Sequence, residues 1–197
     1  MIITFHTQHF FKLQAGDTVI ALNPVNANTS TKVNKFGSNI ALSTYFAGDM
    51  QIFDTATYGD NEPVAIYGPG SYEVDGIQIQ GFDTLFEGEH HAVYSFMFDS
   101  MRIGVLGDVS DKSTLSPDAL EALNDADIIF APATETAFEM ATAFSPHIII
   151  PTGYEDIKEI KPFLDTLSSG QTQKLDKLTI KQKDIESLQS FVYVFTA

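Results

Sequence analysis

With 197 residues, 44% of them hydrophobic, and 16 Phe and 7 Tyr spread along its length, the chain has the size of one domain and ample apolar mass for a core, which excludes intrinsic disorder. It contains no Cys, so a disulfide framework, a thiolate metal site and a catalytic thiol are excluded, and any metal would have to be held by His, Asp and Glu. Eleven basic residues against 26 acidic ones give a net charge of −15, a surface that repels phosphate backbones and makes nucleic acid a poor partner.

The charge is uneven: between Lys158 and Lys183 six Lys face three acids, while the residues before Lys158 are strongly acidic. Met1-Ile2-Ile3-Thr4-Phe5-His6 has no basic run ahead of its apolar residues, and no stretch of 18 apolar residues occurs anywhere. The expectation is a soluble cytoplasmic protein with no membrane partner, folded as a single domain over residues 1–197.

The first hundred residues read as strands and tight turns. Phe10 to Gln14 and Thr18 to Leu22 flank Ala15-Gly16-Asp17, which has hairpin length and turn chemistry. A polar surface loop is expected from Asn26 to Lys35, and a short apolar strand from Asn39 to Ser43. Tyr72 to Val74 and Ile77 to Gln80 alternate on either side of Asp75-Gly76, a two-residue hairpin turn. Val93 to Phe98 and Met101 to Leu106 repeat that pattern around Asp99-Ser100, so this half is expected to be antiparallel sheet.

After residue 110 helices alternate with buried strands. Ser116 before Pro117 and Asp118 predicts a capped helix to about Leu123, and Ile128 to Ala131 a strand. Thr136 with Glu139 forms a capping-box pattern, predicting a helix through Phe144 that Pro146 stops, followed by a strand at His147 to Ile150. A further helix begins near Pro162 and stops at Gly170; Lys177 to Ile180 and Phe191 to Phe195 close the sheets. Strands first and alternation later predict a layered α/β (α+β) architecture.

Four stretches in this order, Gly68 to Val74, Arg102 to Asp108, Pro146 to Tyr154 and Leu175 to Ile180, carry a resemblance. On them the chain resembles the small single-domain bacterial branch of the metallo-β-lactamase superfamily, the lactonase-like metal-dependent hydrolases, from Thr4 to about Val194. The resemblance implies a four-layer αββα sandwich with the active site on loops at one sheet edge. Active members of that family place His-x-His-x-Asp-His after a strand, behind a Ser. Ser43 is present, but the four ligand positions fall on Thr44, Phe46, Gly48 and Asp49. A further ligand His falls near Phe86, the bridging Asp is retained as Asp108, and the final His is Gly153. The supporting Gly-His-Ser run reads Thr7-Gln8-His9, and the acid of an Asp-Pro pair reads Asn23-Pro24.

Coordination chemistry gives these replacements their weight. Catalytic zinc needs three protein ligands and an open position for water. Asp49 and Asp108 alone supply two, enough only for a weakly held divalent cation completed by waters. Phe46 adds bulk where an imidazole should point; packing into the core is its other reading. Asp108 reads either as a remnant ligand or general base, or as a turn-forming Asp after Gly107.

The remaining histidines show no ligand spacing. His6 and His9 lie beside a strand start, His90 and His91 must point to opposite faces of a strand, and His147 opens one. Ser43 and Ser71 lack a nucleophile motif, and Gly68-Pro69-Gly70 reads as a turn rather than a phosphate cradle.

The expected function is that of a non-catalytic metallo-β-lactamase-fold protein without a metal cofactor, working through a protein partner, a homo-oligomer or metal-free ligand binding. The alternative is an ester, lactone or phosphodiester hydrolase with a loosely held ion at Asp49 and Asp108, completed by Glu73 or His9. A third reading is a subunit that pairs with an active paralogue.

Overall fold

Alternation and turn chemistry build the N-terminal sheet. The computed structural model describes residues 1–26, 33–45, 50–60, 62–167, 172–185, 187 and 191–196. In β1 (Ile2–Thr7) every second residue, Ile3, Phe5 and Thr7, is buried. The chain returns through β2 (Phe10–Ala15) and β3 (Thr18–Leu22), antiparallel neighbours joined at Gly16 with φ +57°.

With β4 (Ile40–Leu42) and β5 (Val64–Ile66) the expectation of a wholly antiparallel first half needs correction, because β3, β4 and β5 pair in parallel. Long connections, not tight turns, follow Leu22 and Leu42, and they carry the chain back to the same end of the sheet before each new strand starts. Residues 27–32 of the expected loop lie outside the described residues.

The second sheet opens with a meander of β6 (Gly70–Val74), β7 (Ile77–Phe86), β8 (Glu89–Phe98) and β9 (Met101–Val105), antiparallel throughout. Both two-residue turns take positive φ at each position, +50° and +76° at Asp75-Gly76 and +51° and +63° at Asp99-Ser100, the twist that hairpins favour. Beyond them α1 (Pro117–Leu123) is capped by Ser116, whose hydroxyl accepts from the Ala119 N–H at 3.2 Å. Parallel strands β10 (Ile128–Pro132) and β11 (Ile148–Thr152) bracket α2 (Glu135–Thr142).

The cap of α2 is Thr134, not Thr136: its hydroxyl accepts from the Ala137 N–H at 3.2 Å. The chain leaves β10 at Pro132 and Thr134 still holds an extended backbone, so the helix starts two residues before the capping-box pattern implies. Ser145, with φ +56°, ends that segment ahead of Pro146.

The short helix α3 (Lys161–Leu164), the strands β12 (Thr172–Leu175) and β13 (Lys177–Thr179), α4 (Gln182–Ile185) and β14 (Phe191–Phe195) complete the chain. The helix expected to reach Gly170 is only one turn long, and Gly170 itself lies outside the described residues. Strand β12 was not expected, since an edge strand of sequence Thr-Gln-Lys-Leu has no apolar run to announce it.

The six-stranded sheet has the order β13-β1-β2-β3-β4-β5 and the eight-stranded sheet β12-β14-β11-β10-β9-β8-β7-β6, so the architecture is the αββα sandwich. Asp176 alone separates β12 from β13, and Tyr67-Gly68-Pro69 carries β5 into β6; the chain therefore crosses between the sheets on both flanks. Among the described residues no helix is long and apolar enough to cross a membrane.

Aromatic side chains fill the space between the sheets. Phe5 stacks on Tyr154 at 5.0 Å, and Phe11 meets Phe130 and Phe195 edge-on at 5.0 and 5.6 Å. Both buried phenols nearby are satisfied: Tyr154 donates to the Phe195 carbonyl at 3.0 Å, and Tyr94 donates to the Ser43 carbonyl at 2.8 Å. Burial pushes the Tyr154 hydroxyl up to about 12.

On the outer face of the smaller sheet His6 lies between Phe10 and Phe36, at ring distances of 4.8 and 5.0 Å, with its Nε2 buried and unpartnered. Burial first, then the nearby Lys12 charge, lower its imidazole to about 4. The unfolded chain takes up a proton near the ordinary histidine value, which the native chain refuses until the pH is lower. Stability is therefore full above that value and falls as pH drops from about 6.5 to about 4. His6→Phe should flatten that slope, by about 3 kcal/mol at most across the window, as read from urea melts at stepped pH. In the same assay at neutral pH Thr134→Ala should cost about 1 kcal/mol, and Thr136→Ala nearly nothing.

Candidate functional site

Four loops meet at one end of the sandwich. The β1–β2 turn is tied to the segment after β11 by Gln8 N–H to the Tyr154 carbonyl at 2.8 Å and Gly153 N–H to the Gln8 carbonyl at 3.0 Å. The residues after β4 are tied to β8 by Ala92 N–H donating to the Thr44 carbonyl at 2.8 Å. The turn after β9 packs against them at Gly107 and Asp108.

Thr44 is committed to its neighbours. Its N–H and its hydroxyl both donate to Asn23 Oδ1, at 2.7 and 3.0 Å, and the side chain is buried against Gly107. A Cβ on Gly107, whose φ is +60°, would stand 2.6 Å from Thr44 Oγ1, so only glycine fits there. Asn23, where the resemblance expects an acid, thus serves to hold Thr44 in place.

Asp108 sits at the centre. Its Oδ1 accepts from His9 Nε2 at 3.0 Å, and the Tyr45 hydroxyl donates to the same carboxylate. Burial alone would raise the carboxyl. The hydrogen bond and charge of His9, the Tyr45 hydrogen bond and the nearby His91 outweigh it and hold Asp108 below the usual carboxylate range. Conversely, burial and the Asp108 charge push the Tyr45 phenol far up, so it stays a donor. Of the two readings left open by the sequence, the turn-former is not what the side chain does: its partners are side chains of other loops.

His9 reaches Asp108 because Gly153 lacks a side chain. A Cβ on Gly153, at φ +85°, would lie 3.1 Å from His9 Nε2. The position where the resemblance expects an imidazole is empty of side-chain atoms, and an imidazole enters the same space from the β1–β2 turn. Something similar holds at Phe86: its ring lies edge-on to His91 at 5.6 Å, and His91 also meets Tyr45 at 5.3 Å.

The other candidates are dispersed. His90 is exposed on the opposite face from His91, 2.9 Å from Asp83, as the strand alternation requires. His147 lies 3.6 Å from Asp127 at the other end of β11, and Glu73 is exposed on edge strand β6. Ser43 Oγ is occupied by the Tyr45 backbone at 3.1 and 3.2 Å. Phe46, Gly48 and Asp49 lie outside the described residues.

Among the described residues, this donor set does not fit a dinuclear metal centre. Thr44 is turned to Asn23 and Gly107, Gly153 has no side chain, and Asp108 is engaged by two donors. Among the described residues no group of three or more His, Asp or Glu is placed to hold a metal ion. The sequence did not single out Tyr45 or His91. Tyr45 lay beside Thr44 in the run that marked the site, and its role becomes visible only when β4 and β9 are brought side by side.

The β-lactamase superfamily domain matches residues 2–153, so the chain belongs to that family. Its fold is similar to that of a metallo-β-lactamase superfamily protein from Thermotoga maritima classed as a Zn-dependent hydrolase, with 19% identity, a TM-score of 0.76, and 99% of each chain covered. The metallo-β-lactamase fold protein YhfI from Bacillus subtilis shares 10% identity at a TM-score of 0.55, over 99% of this chain and 96% of that one. Igni18, a metallo hydrolase from the archaeon Ignicoccus hospitalis, shares 12% at 0.58, over 91% and 99%. At such identities the likeness is one of fold. Among curated proteins, none matches the chain.

The two glycines of the site should differ in tolerance. Gly107→Ala, strained in backbone and driven into Thr44, should cost about 3 kcal/mol, whereas Gly153→Ala, with His9 free to shift slightly, should cost about 1–2 kcal/mol. Chemical denaturation of both variants measures the difference.

Proposed function

We propose that this chain is a non-catalytic member of the metallo-β-lactamase superfamily: a single-domain protein that has lost zinc binding and acts through protein contacts or metal-free ligand binding. One observation carries the reading. The retained acid, Asp108, has its carboxylate taken up by His9 and Tyr45, while the other described ligand positions, Thr44, Phe86 and Gly153, offer no free donor. A hydrogen-bonded cluster stands where the family's hydrolases need electron pairs directed at an ion.

The rival reading is a hydrolase with a loosely held Mn²⁺ or Mg²⁺ at Asp49 and Asp108. The proximity of His9 to Asp108 favours His9 over the exposed Glu73 as the completing group. The two readings separate in one pair of measurements. Protein produced with zinc supplied should carry far less than one equivalent of any transition metal by elemental analysis. A screen of esters, lactones and phosphodiesters should show no turnover that rises with Mn²⁺ or Mg²⁺. Near-stoichiometric metal, or metal-dependent turnover abolished by Asp108→Ala, would overturn the proposal.

A further inference from the structure

The two flanks of the sandwich differ in charge and in surface chemistry. On one flank the edge strands are β5 and β6; on the other they are β13 and β12. From residue 36 to residue 101, a stretch that contains β5 and β6, the chain has ten acidic residues and no Lys or Arg. Asp60 and Glu62 just ahead of β5, and Glu73 within β6, are exposed. The opposite flank carries lysines among its acids: Lys158, Lys161, Lys174 and Lys177 are exposed on or beside α3, β12 and β13, as are Glu155, Asp156, Glu159, Asp165 and Asp176, and Lys158 lies 3.6 Å from Asp156.

Apolar surface follows the same division. The exposed large hydrophobic side chains among the described residues are five, and three of them, Tyr58 at 69%, Val64 at 49% and Tyr67 at 40%, lie in β5 or the segments next to it. Edge strands with such side chains and no lysine lack one of the usual protections against pairing. The lysine-bearing flank offers a depression: a groove of about 320 Å³ between α3 and β12, walled by Ile157, Leu164 and Thr172 and rimmed by Lys158, Lys161 and Lys174 with one acid, Asp165.

We propose that these flanks are the two halves of a head-to-tail contact between copies of this chain. The acidic β5/β6 flank of one copy, with Tyr58, Val64 and Tyr67 leading, seats against the lysine-rimmed α3/β12 groove of the next. A second copy is the occupant because this one chain carries both complementary surfaces, apolar projections within an acidic field and an apolar depression whose rim has three lysines to one acid. The contact is heterologous, so each added copy leaves a free flank of either kind, and assembly continues into a ring or an open filament. It does not depend on the reading of the former metal site, and its failure would leave that reading untouched.

Sedimentation of the unmodified protein at rising concentration tests the contact without any variant. The weight-average mass should at least double at roughly 20 mM salt and return to the single-chain value at roughly 0.5 M, where charges are screened within a few ångströms. A single-chain mass at every concentration in low salt would overturn the proposal.

Two charge-reversal variants then locate the contact, with far-UV circular dichroism to check their fold. Asp60→Lys/Glu62→Lys/Glu73→Lys and Lys161→Glu/Lys174→Glu should each stay single, and an equimolar mixture of the two should associate again. If either variant alone associates as the unmodified protein does, the flanks are not the contact and the proposal fails. If the mixture stays dissociated while both variants are folded, the pairing of the two flanks is refuted.

Discussion

The aromatic layer between the two sheets is the constraint from which the rest of this structure follows. Phe5, Phe11, Phe130, Tyr154 and Phe195 interlock there, and side chains that alternate across each strand leave every second position facing a dry interior. A polar group can enter that layer only with its partner in hand, as Tyr154 does with the Phe195 backbone. Unpaired chemistry is thereby confined to the strand ends. The loops after β1, β4, β9 and β11 end at one such place, and the cluster around Asp108 forms there.

On the function proposed above, one type of cross-link stands in for another at that strand end. A bridging metal draws several loops together by accepting electron pairs from each. Here a carboxylate does so by accepting hydrogen bonds: Asp108 receives one from the β1–β2 turn through His9 and one from the post-β4 segment through Tyr45. The exchange is matched residue for residue. Glycine at 153 makes the room that His9 fills, and Asn23 receives two hydrogen bonds from Thr44. Reversing one of these substitutions alone would place an imidazole against an imidazole at His9, so the present state is held by several side chains together.

Much of the scaffold was legible in the residues. The Asp-Gly turn at Asp75-Gly76, the Ser116 cap and the apolar strands Ile128 to Ala131 and Ile148 to Ile150 are local devices, and local chemistry is what a sequence displays. The parallel pairing of β3, β4 and β5 was missed because strand direction depends on where a long connection lands, which no short window records. Strand β12 was missed because at a sheet edge hydrogen bonding substitutes for an apolar run. In the site, the losses at Thr44 and Gly153 could be read from the motif and His9 was named beside Asp108 as a completing group, but the gains at Tyr45 and His91 could not be read. Those residues belong to different motifs, and only their convergence gives them a common partner.

The buried phenols bear on how the fold meets strong base. Tyr154, Tyr94 and Tyr45 all hold their protons more tightly than a solvated tyrosine, burial being the leading cause in each case. Below the ordinary phenol value native and unfolded chains carry these protons alike. As alkalinity increases, the unfolded chain ionises first, so for Tyr154 the balance tilts toward unfolding up to about 12. In a chain without tryptophan the phenolate absorbance is also the chief ultraviolet reporter. The part of the spectral change that comes from these three buried phenols should therefore coincide with the opening of the sandwich.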